Sequence, residues 1–285
     1  MKYKVALKEA QKKCMEAGIG EQAPFFLLLE LSNKEAHNLY MEYEEEMEDC
    51  LLQEYLQKVE RLLTHEPLDH ILGYSYFYGY QFLVNEDVLI PRPETEELVA
   101  HILSAYDDYF PNEEVQVIDV GTGSGAIAIA LKLEEKKLQV AASDISVEAV
   151  EMAKKNADKL DANVAFMVGN MLDPFIEQGL KTDILISNPP YIPKAEVMEE
   201  SVVNFEPHVA LFGGDDGLKF YHEIFKNAHK VLKEKSFLAF EIGYDQKVAL
   251  KALAKEYFAD AKIEVYQDIN GKDRMLFIYN NIKIQ

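Results

Sequence analysis

The period of the apolar positions changes twice along the chain. Val5, Leu7, Ala10 and Cys14 recur at helical spacing, as do Leu51, Leu52, Tyr55, Leu56, Val59, Leu62 and Leu63. Residues 1 to about 72 therefore read as helices, with the acidic run Glu42 to Asp49 as a solvated helix face. Tyr74, Tyr76, Phe77, Tyr78, Tyr80, Phe82, Leu83 and Val84 are aromatic and β-prone. Asn85, Glu86 and Asp87 supply a turn before Val88-Leu89-Ile90, which predicts a hairpin. Pro91 and Pro93 end it. Pro93 suits a first helical turn, and Glu94, Glu96 and Glu97 complement the helix N-terminus.

From about residue 112, strand and helix patterns alternate. Strands are expected at Val115–Val120, Leu138–Ser143, Val164–Val168, Asp183–Ser187 and Phe237–Ile242. Helices are expected at Ala126–Lys132, Val147–Leu160, Tyr221–Leu232 and Gln246–Tyr257. Two last strands, Ile263–Gln267 and Met275–Tyr279, are joined across Asn270-Gly271 and must be antiparallel neighbours. Continuous apolar strands alternating with amphipathic helices predict an α/β fold, a mostly parallel sheet covered on both faces. Three segments result: helical 1–72, a β-hairpin linker 73–92, and an α/β domain 93–285.

Composition adds exclusions. The 285 residues are 48% hydrophobic and 28% charged, an ordinary globular mixture. The net charge of −21 argues against affinity gained by broad phosphate neutralisation. The acidity is spread, since residues 1–90 hold 8 basic and 17 acidic side chains. Cys14 and Cys50 lie far apart with no CxxC, so neither a zinc site nor a disulfide framework is expected. The seven histidines are scattered without metal-ligand spacing. Met1 to Gly20 has no apolar h-region, and Phe25 to Leu29 is far shorter than the roughly 20 residues of a membrane span. The expectation is a cytoplasmic protein with no membrane or nucleic-acid partner.

Two motifs carry chemistry. In Val117-Ile118-Asp119-Val120-Gly121-Thr122-Gly123-Ser124-Gly125, a buried strand runs through a glycine turn into a helix. Glycines serve where a ligand must touch main chain. Asp144 ends the next strand, placed to accept hydrogen bonds from a ribose diol. This motif alone predicts a nucleoside cofactor and leaves its identity open, because Gly121, Gly123 and Ala126 also fit a dinucleotide pattern.

The second motif, Asn188-Pro189-Pro190-Tyr191, leaves the C-terminal end of Ile184–Ser187, where ligands of open α/β sheets sit. Two prolines stiffen the loop, which offers an amide side chain, a main-chain carbonyl and an aromatic ring. These parts suit methylation of a planar nitrogen, whose lone pair is delocalised. The Asn188 side-chain oxygen and the Pro189 carbonyl can each accept one N–H, and Tyr191 can stack on a flat substrate. Catalysis is then orientation plus placed dipoles, and the proton leaves after transfer. Asp215 and Asp216, in Gly213-Gly214-Asp215-Asp216-Gly217, read as a solvent turn in preference to a cation site, and no metal site is expected.

Taken together, these motifs resemble those of the HemK/PrmC release factor glutamine methyltransferases, and the resemblance runs over essentially the whole length of the sequence. The resemblance rests on Glu66-Pro67-Leu68 with Ile71-Leu72-Gly73 and on Val88-Leu89-Ile90-Pro91-Arg92-Pro93-Glu94-Thr95-Glu96. It continues through Gly121–Gly125, Asp144, Asn188–Tyr191, Glu206-Pro207 with Ala210-Leu211, and Gly213–Leu218. It implies a class I, Rossmann-like methyltransferase sheet ending in an antiparallel hairpin, as such enzymes do, behind a helical substrate-recognition domain. It implies methylation of the glutamine side-chain amide in the Gly-Gly-Gln loop of class I peptide-chain release factors by S-adenosylmethionine, leaving S-adenosylhomocysteine. Under the resemblance, Gly121, Thr122, Gly123, Ser124 and Gly125 cradle the methionine part and Asp144 holds the ribose. Asn170 and Met171 fall on the adenine side, where the family often has Asp and an aromatic residue. Asn188, Pro189, Pro190 and Tyr191 hold the glutamine, with Asn188 beside the cofactor and Leu89 to Arg92 walling the pocket. A monomer is expected.

The rivals are a ribosomal-protein glutamine methyltransferase, which shares the catalytic motif, and an N6-adenine nucleic-acid methyltransferase. The second should hold phosphates with Lys and Arg, and the acidic helical segment opposes it. A cofactor-dependent binding module without turnover conflicts with the intact Asn188–Tyr191 motif, and a nicotinamide-dependent oxidoreductase has no hydride-transfer constellation here.

Overall fold

The computed structural model describes residues 1–196 and 200–282, which divide into two compact units. Residues 1–74 form the first, and the short helix at Glu200–Phe205 is assigned to it as well. Its main helices are α1 (Tyr3–Glu16), α2 (Gln22–Ser32), α3 (Ala36–Met41), α4 (Asp49–Leu62) and α5 (Leu68–Leu72). Tyr3, Leu7, Ala10 and Cys14 recur at intervals of three and four residues and meet Leu27, Leu28, Tyr55 and Val59 in one core. Tyr55 keeps its hydroxyl satisfied there by donating to the Pro24 carbonyl at 3.1 Å.

Two expectations fail in this unit. Val5 is exposed, and Tyr3 and Ala6 take its place on the buried face. The run Glu42 to Asp49 is no helix face: α3 stops before it and α4 starts at its end. It is a turn tied to the start of the chain, with Glu44 pairing Lys2 at 3.0 Å and Lys4 at 2.8 Å. Glu46 pairs the terminal ammonium at 2.7 Å. Glu42 likewise pairs Lys34 at 2.6 Å, so nearby cations match part of the run's acidity.

The second unit begins at Ser75, inside β1 (Tyr74–Phe77), which pairs with β2 (Tyr80–Leu83) in a hairpin of its own whose Phe77 and Phe82 are fully buried in the unit's core. The hairpin closes at Tyr78-Gly79; the expected turn at Asn85–Asp87 is present, with the Val88 N–H donating to the Asn85 carbonyl at 3.2 Å, but it joins no second strand. Tyr78 and Gly79 have positive φ, 52° and 80°, as a two-residue hairpin turn requires. Val88 to Ile90 is consequently not a strand but an irregular segment, while Val84 and Val88 pack on Ala149 and Met152.

There follow α6 (Pro93–Tyr109), β3 (Val115–Val120), α7 (Ala126–Glu134), β4 (Leu138–Asp144), α8 (Val147–Leu160), β5 (Ala165–Val168), α9 (Asp173–Glu177) and β6 (Thr182–Ser187). Beyond α10, the Glu200–Phe205 helix, come α11 (Lys219–Ala228), β7 (Leu232–Glu241), α12 (Lys247–Tyr257), β8 (Lys262–Gln267) and β9 (Asp273–Asn280). The helix expected to reach Leu232 ends at Ala228, and Leu232 already opens β7.

The sheet order is β5-β4-β3-β6-β7-β9-β8. It is parallel from β5 to β7, and β9 runs antiparallel to both β7 and β8. Strands β3 and β6 are buried on both faces. Val117, Ile184 and Ile186 face one helical layer, and Ile118, Leu185 and Phe240 face the other. Between β3 and β6 the order reverses, and the C-terminal ends of β3, β4, β5 and β6 open a crevice there.

Candidate active site

Each sequence-predicted loop leaves one of those strand ends. A cavity of about 380 Å³ lies among them, within the second unit. It is lined by Gly121 to Ser124, Asp144, Asn170, Met171, Asn188 and Pro190, and on its outer side by Leu89, Pro91 and Arg92. Gly125, Pro189 and Tyr191 do not line it.

The glycines divide into two kinds. Gly121 and Gly123 have φ of +74° and +55°, and a Cβ at either would meet nothing within 4 Å. They keep main chain bare towards open space, as a ligand cradle requires. At Gly125, which caps α7 at φ +82°, a Cβ would lie 2.9 Å from Ile129 Cδ1 and 3.0 Å from Ala153 Cβ. Gly125 is needed for the packing of α7 against α8, and shapes the loop from behind.

Asp144 fixes the loop from the next strand. Its Oδ2 accepts the Gly123 N–H at 2.9 Å and its Oδ1 accepts the Ser146 N–H at 3.0 Å. Burial nevertheless raises its pKa, with the N–H groups of Ser146, Gly123 and Ile145 opposing the rise. Asp119, to which the sequence pattern assigns no role, sits beneath the same loop. It is fully buried, its Oδ2 accepts the Thr122 hydroxyl at 2.6 Å, and Oδ1 has no partner among the described residues. Burial pushes its pKa up to about 7, the Thr122 hydroxyl lowering it and Asp144 raising it further. An acidic residue within the continuously buried stretch Val117–Val120 was the available sign. Asn156 was also missed. Its amide joins the Ser124 carbonyl at 2.9 Å to the Leu83 carbonyl at 3.0 Å, and so ties the glycine loop to the hairpin.

On the adenine side of the expected site, the Asn170 amide donates to Glu223 of α11, and Met171 holds a positive φ of 43°. Asn170, Met171 and Glu223 all face the cavity.

The Asn188–Tyr191 loop is built from behind. Ser187 anchors its start by donating to the Val120 carbonyl at 2.7 Å. Ile192 bridges to Phe212 in parallel, and the Gln246 amide donates to the Tyr191 carbonyl at 3.1 Å. The Tyr191 ring packs with the core beside α11, and its hydroxyl donates to Glu241 Oε1 at 3.2 Å instead of facing the cavity. Burial, with the adjacent Glu241 carboxylate, raises the Tyr191 phenol pKa well above its usual range. The Arg92 guanidinium binds Glu206, which is almost fully buried and also accepts the Ile90 N–H at 3.2 Å. That pair holds the Leu89–Arg92 wall and explains why Pro-Arg-Pro and Glu206-Pro207 occur in one chain. Among the described residues, no cluster of His, Cys, Asp and Glu could hold a metal ion, and no helix is long and apolar enough to cross a membrane.

A reversed-order α/β sheet, a glycine loop under an aspartate and an Asn-Pro-Pro-Tyr loop sharing one cavity define a class I methyltransferase. A solved methyltransferase from Pyrococcus furiosus has the same fold, with a TM-score of 0.54 at 15% identity, covering 78% of this chain and 98% of that one. Residues 5–73 match the PrmC N-terminal domain and residues 97–206 the methyltransferase small domain. The release factor glutamine methyltransferase of Bacillus subtilis (strain 168) is 46% identical, over 95% of both chains. That of Bacillus cereus is 42% identical, over 97% of this chain and 99% of its own. The chain belongs to the release factor glutamine methyltransferase family.

Proposed function

We propose that the protein methylates the side-chain amide nitrogen of the glutamine in the Gly-Gly-Gln loop of class I release factors, using S-adenosylmethionine. The observation that carries this is the placement of Asn188 in the same cavity as the bare glycine loop and Asp144. The residues present fit the cofactor. Gly121 to Ser124 would hold its methionine part, with Gly125 shaping the loop from behind, Asp144 its ribose, and Asn170 with Met171 its adenine. When bound, it supplies a methyl group on a sulfonium centre, an electrophile needing no metal. Asn188 lines the cavity, and its Oδ1 would accept one amide proton of the glutamine; Pro189 is buried beside it, and its carbonyl is the expected acceptor of the second only where the seated glutamine reaches it. This holds the nitrogen in place and favours the form that keeps its lone pair available. The cavity lies within the second unit, which leaves the helical first unit as the natural grip on the rest of the release factor. A cytoplasmic monomer fits this role.

The test is incubation with S-adenosylmethionine and an unmethylated bacterial release factor, followed by peptide mass spectrometry. One methyl on the glutamine of the Gly-Gly-Gln peptide is the expected result. Label appearing only on adenine-containing DNA, or only on a ribosomal protein, would replace this reading with one of its rivals. A second expectation concerns the cofactor alone. Asp144→Ala removes a charged acceptor from the cavity and frees the Gly123 N–H. It should weaken S-adenosylhomocysteine binding by about 10- to 100-fold in calorimetry. Unchanged affinity would remove Asp144 from the cofactor site.

A further inference from the structure

The Pro91–Glu96 segment contributes one residue that the site described above leaves without a task. Thr95, in the first turn of α6, is buried, and its hydroxyl stands between two groups from other elements. It donates to Glu241 Oε2 at 2.5 Å and faces the Asn188 side-chain nitrogen at 3.4 Å. Glu241 ends β7, is 2% exposed, and has its other carboxylate oxygen taken by the Tyr191 hydroxyl at 3.2 Å. We propose that Thr95 and Glu241 are positioning residues for transfer, which fix the way round that the Asn188 amide meets the substrate. This inference rests on the function proposed above.

The two ends of a side-chain amide have nearly the same shape and opposite hydrogen-bonding character. Asn188 can accept a substrate N–H only with Oδ1 towards the cavity. Shape does not choose between the two orientations, so a neighbour must. An ionised carboxylate has no proton to give, so Thr95 commits its single hydroxyl proton to Glu241. The lone pairs of Thr95 then face Asn188, and only an N–H can satisfy them. The direction passes from Glu241 through Thr95 to Asn188, and leaves Oδ1 for the substrate. A protonated Glu241 would reverse it. Glu241 would donate to Thr95, Thr95 could donate to Oδ1, and the two N–H groups would confront the substrate amide.

Transfer should therefore depend on ionised Glu241 and fall on the acid side. Burial raises the Glu241 pKa from its ordinary value. The Thr95 hydroxyl, Arg274 of β9 and the Tyr191 hydroxyl oppose the rise, and Glu94 of α6 adds to it. Tyr221 of α11 also faces this end of β7, donating its hydroxyl to the Glu241 main-chain carbonyl at 2.6 Å.

The test compares Thr95→Val, Thr95→Ser and Glu241→Gln with the wild type on release factor, with product-nucleoside affinity measured alongside. Thr95→Val keeps the shape and removes the hydroxyl. It should lower kcat about 10-fold or more with product-nucleoside affinity within about threefold, and Thr95→Ser should recover most of the loss. Glu241→Gln cannot titrate, so its kcat profile should lose the Glu241 part of the acid limb and keep any part set by Asp119 and Asp144. In the ligand-free protein, the Asn188 side-chain ¹⁵N–¹H signals should shift and exchange faster with water in Thr95→Val than in the wild type. A Thr95→Val kcat within twofold of wild type, unchanged Asn188 amide signals, or a kcat acid limb in Glu241→Gln identical to that of wild type would each overturn the inference. The wild-type reaction run beside them reports separately on the parent function, and the amide signals need no substrate.

Discussion

Asn188→Ala is expected to lower kcat for glutamine methylation by about 10²- to 10³-fold, the range seen when one oriented polar partner is removed from a reacting centre. Binding of S-adenosylhomocysteine should change little, because the glycine loop and Asp144 stay in place. The effect falls on kcat because an amide nitrogen is a poor nucleophile until it is held and desolvated correctly. Asn188 contributes only once the glutamine is seated. Asn188→Asp should not rescue the loss. A carboxylate can accept the substrate N–H, but its second oxygen would face the Thr95 hydroxyl, whose proton is already donated to Glu241. Single-turnover transfer followed by mass spectrometry separates chemistry from product release. A rate within about fivefold of wild type would remove Asn188 from the reacting centre.

How far that site can be read without coordinates depends on the range of its contacts. Gly121 to Gly125, Asp144 and Asn188 are legible because each follows an apolar strand, and strand ends of an α/β sheet converge by topology. The strand at Val115–Val120 and the antiparallel pairing of the last two strands follow from the same local periodicity and turn chemistry. Thr95, Glu206 and Glu241 are different. Thr95 meets a carboxylate 146 positions away, and Ile90 meets Glu206 116 positions away. Periodicity reports which face is buried; it says nothing of which distant polar group shares that burial. The misplaced hairpin turn has a local cause. Asn85-Glu86-Asp87 has the better turn composition, but Tyr78-Gly79 brings Phe77 and Phe82 inward together, and that burial outweighs residue preference. Tyr191 illustrates the opposite error. An aromatic in the Asn-Pro-Pro-Tyr loop suggests a stacking surface, yet its hydroxyl joins the buried Glu241 network and the ring stays with the core.

Gly217→Ala is expected to cost about 2–5 kcal/mol of stability, about 5–15 °C in Tm, together with a clear loss of kcat. The acidic Gly213–Gly217 turn looks like solvent-exposed punctuation, and Asp215 and Asp216 are indeed exposed. Its end glycines are buried, and they press on the main chain of the Asn188–Tyr191 loop. A Cβ on Gly217 would lie 2.2 Å from the Tyr191 carbonyl oxygen and 2.6 Å from the Gln246 amide nitrogen. One on Gly213 would lie 2.4 Å from the Pro190 carbonyl oxygen. These are mostly backbone atoms with no rotamer to escape into, so the collision must move the loop that carries Asn188. Gly217 also has φ +75°, where alanine is strained by about 1–2 kcal/mol even in open space. Gly271 separates the two contributions, having the same φ of +75° and nothing within 4 Å of its Cβ position. Gly271→Ala should therefore show the backbone strain alone, partly offset by a less flexible unfolded chain, and leave kcat untouched. If thermal melts and transfer rates of the two variants coincide, the glycine turn does not support the catalytic loop. If Gly217→Ala loses kcat well beyond Gly271→Ala at a temperature where both are folded, the position of Asn188 is set from behind by contacts that no alanine can make.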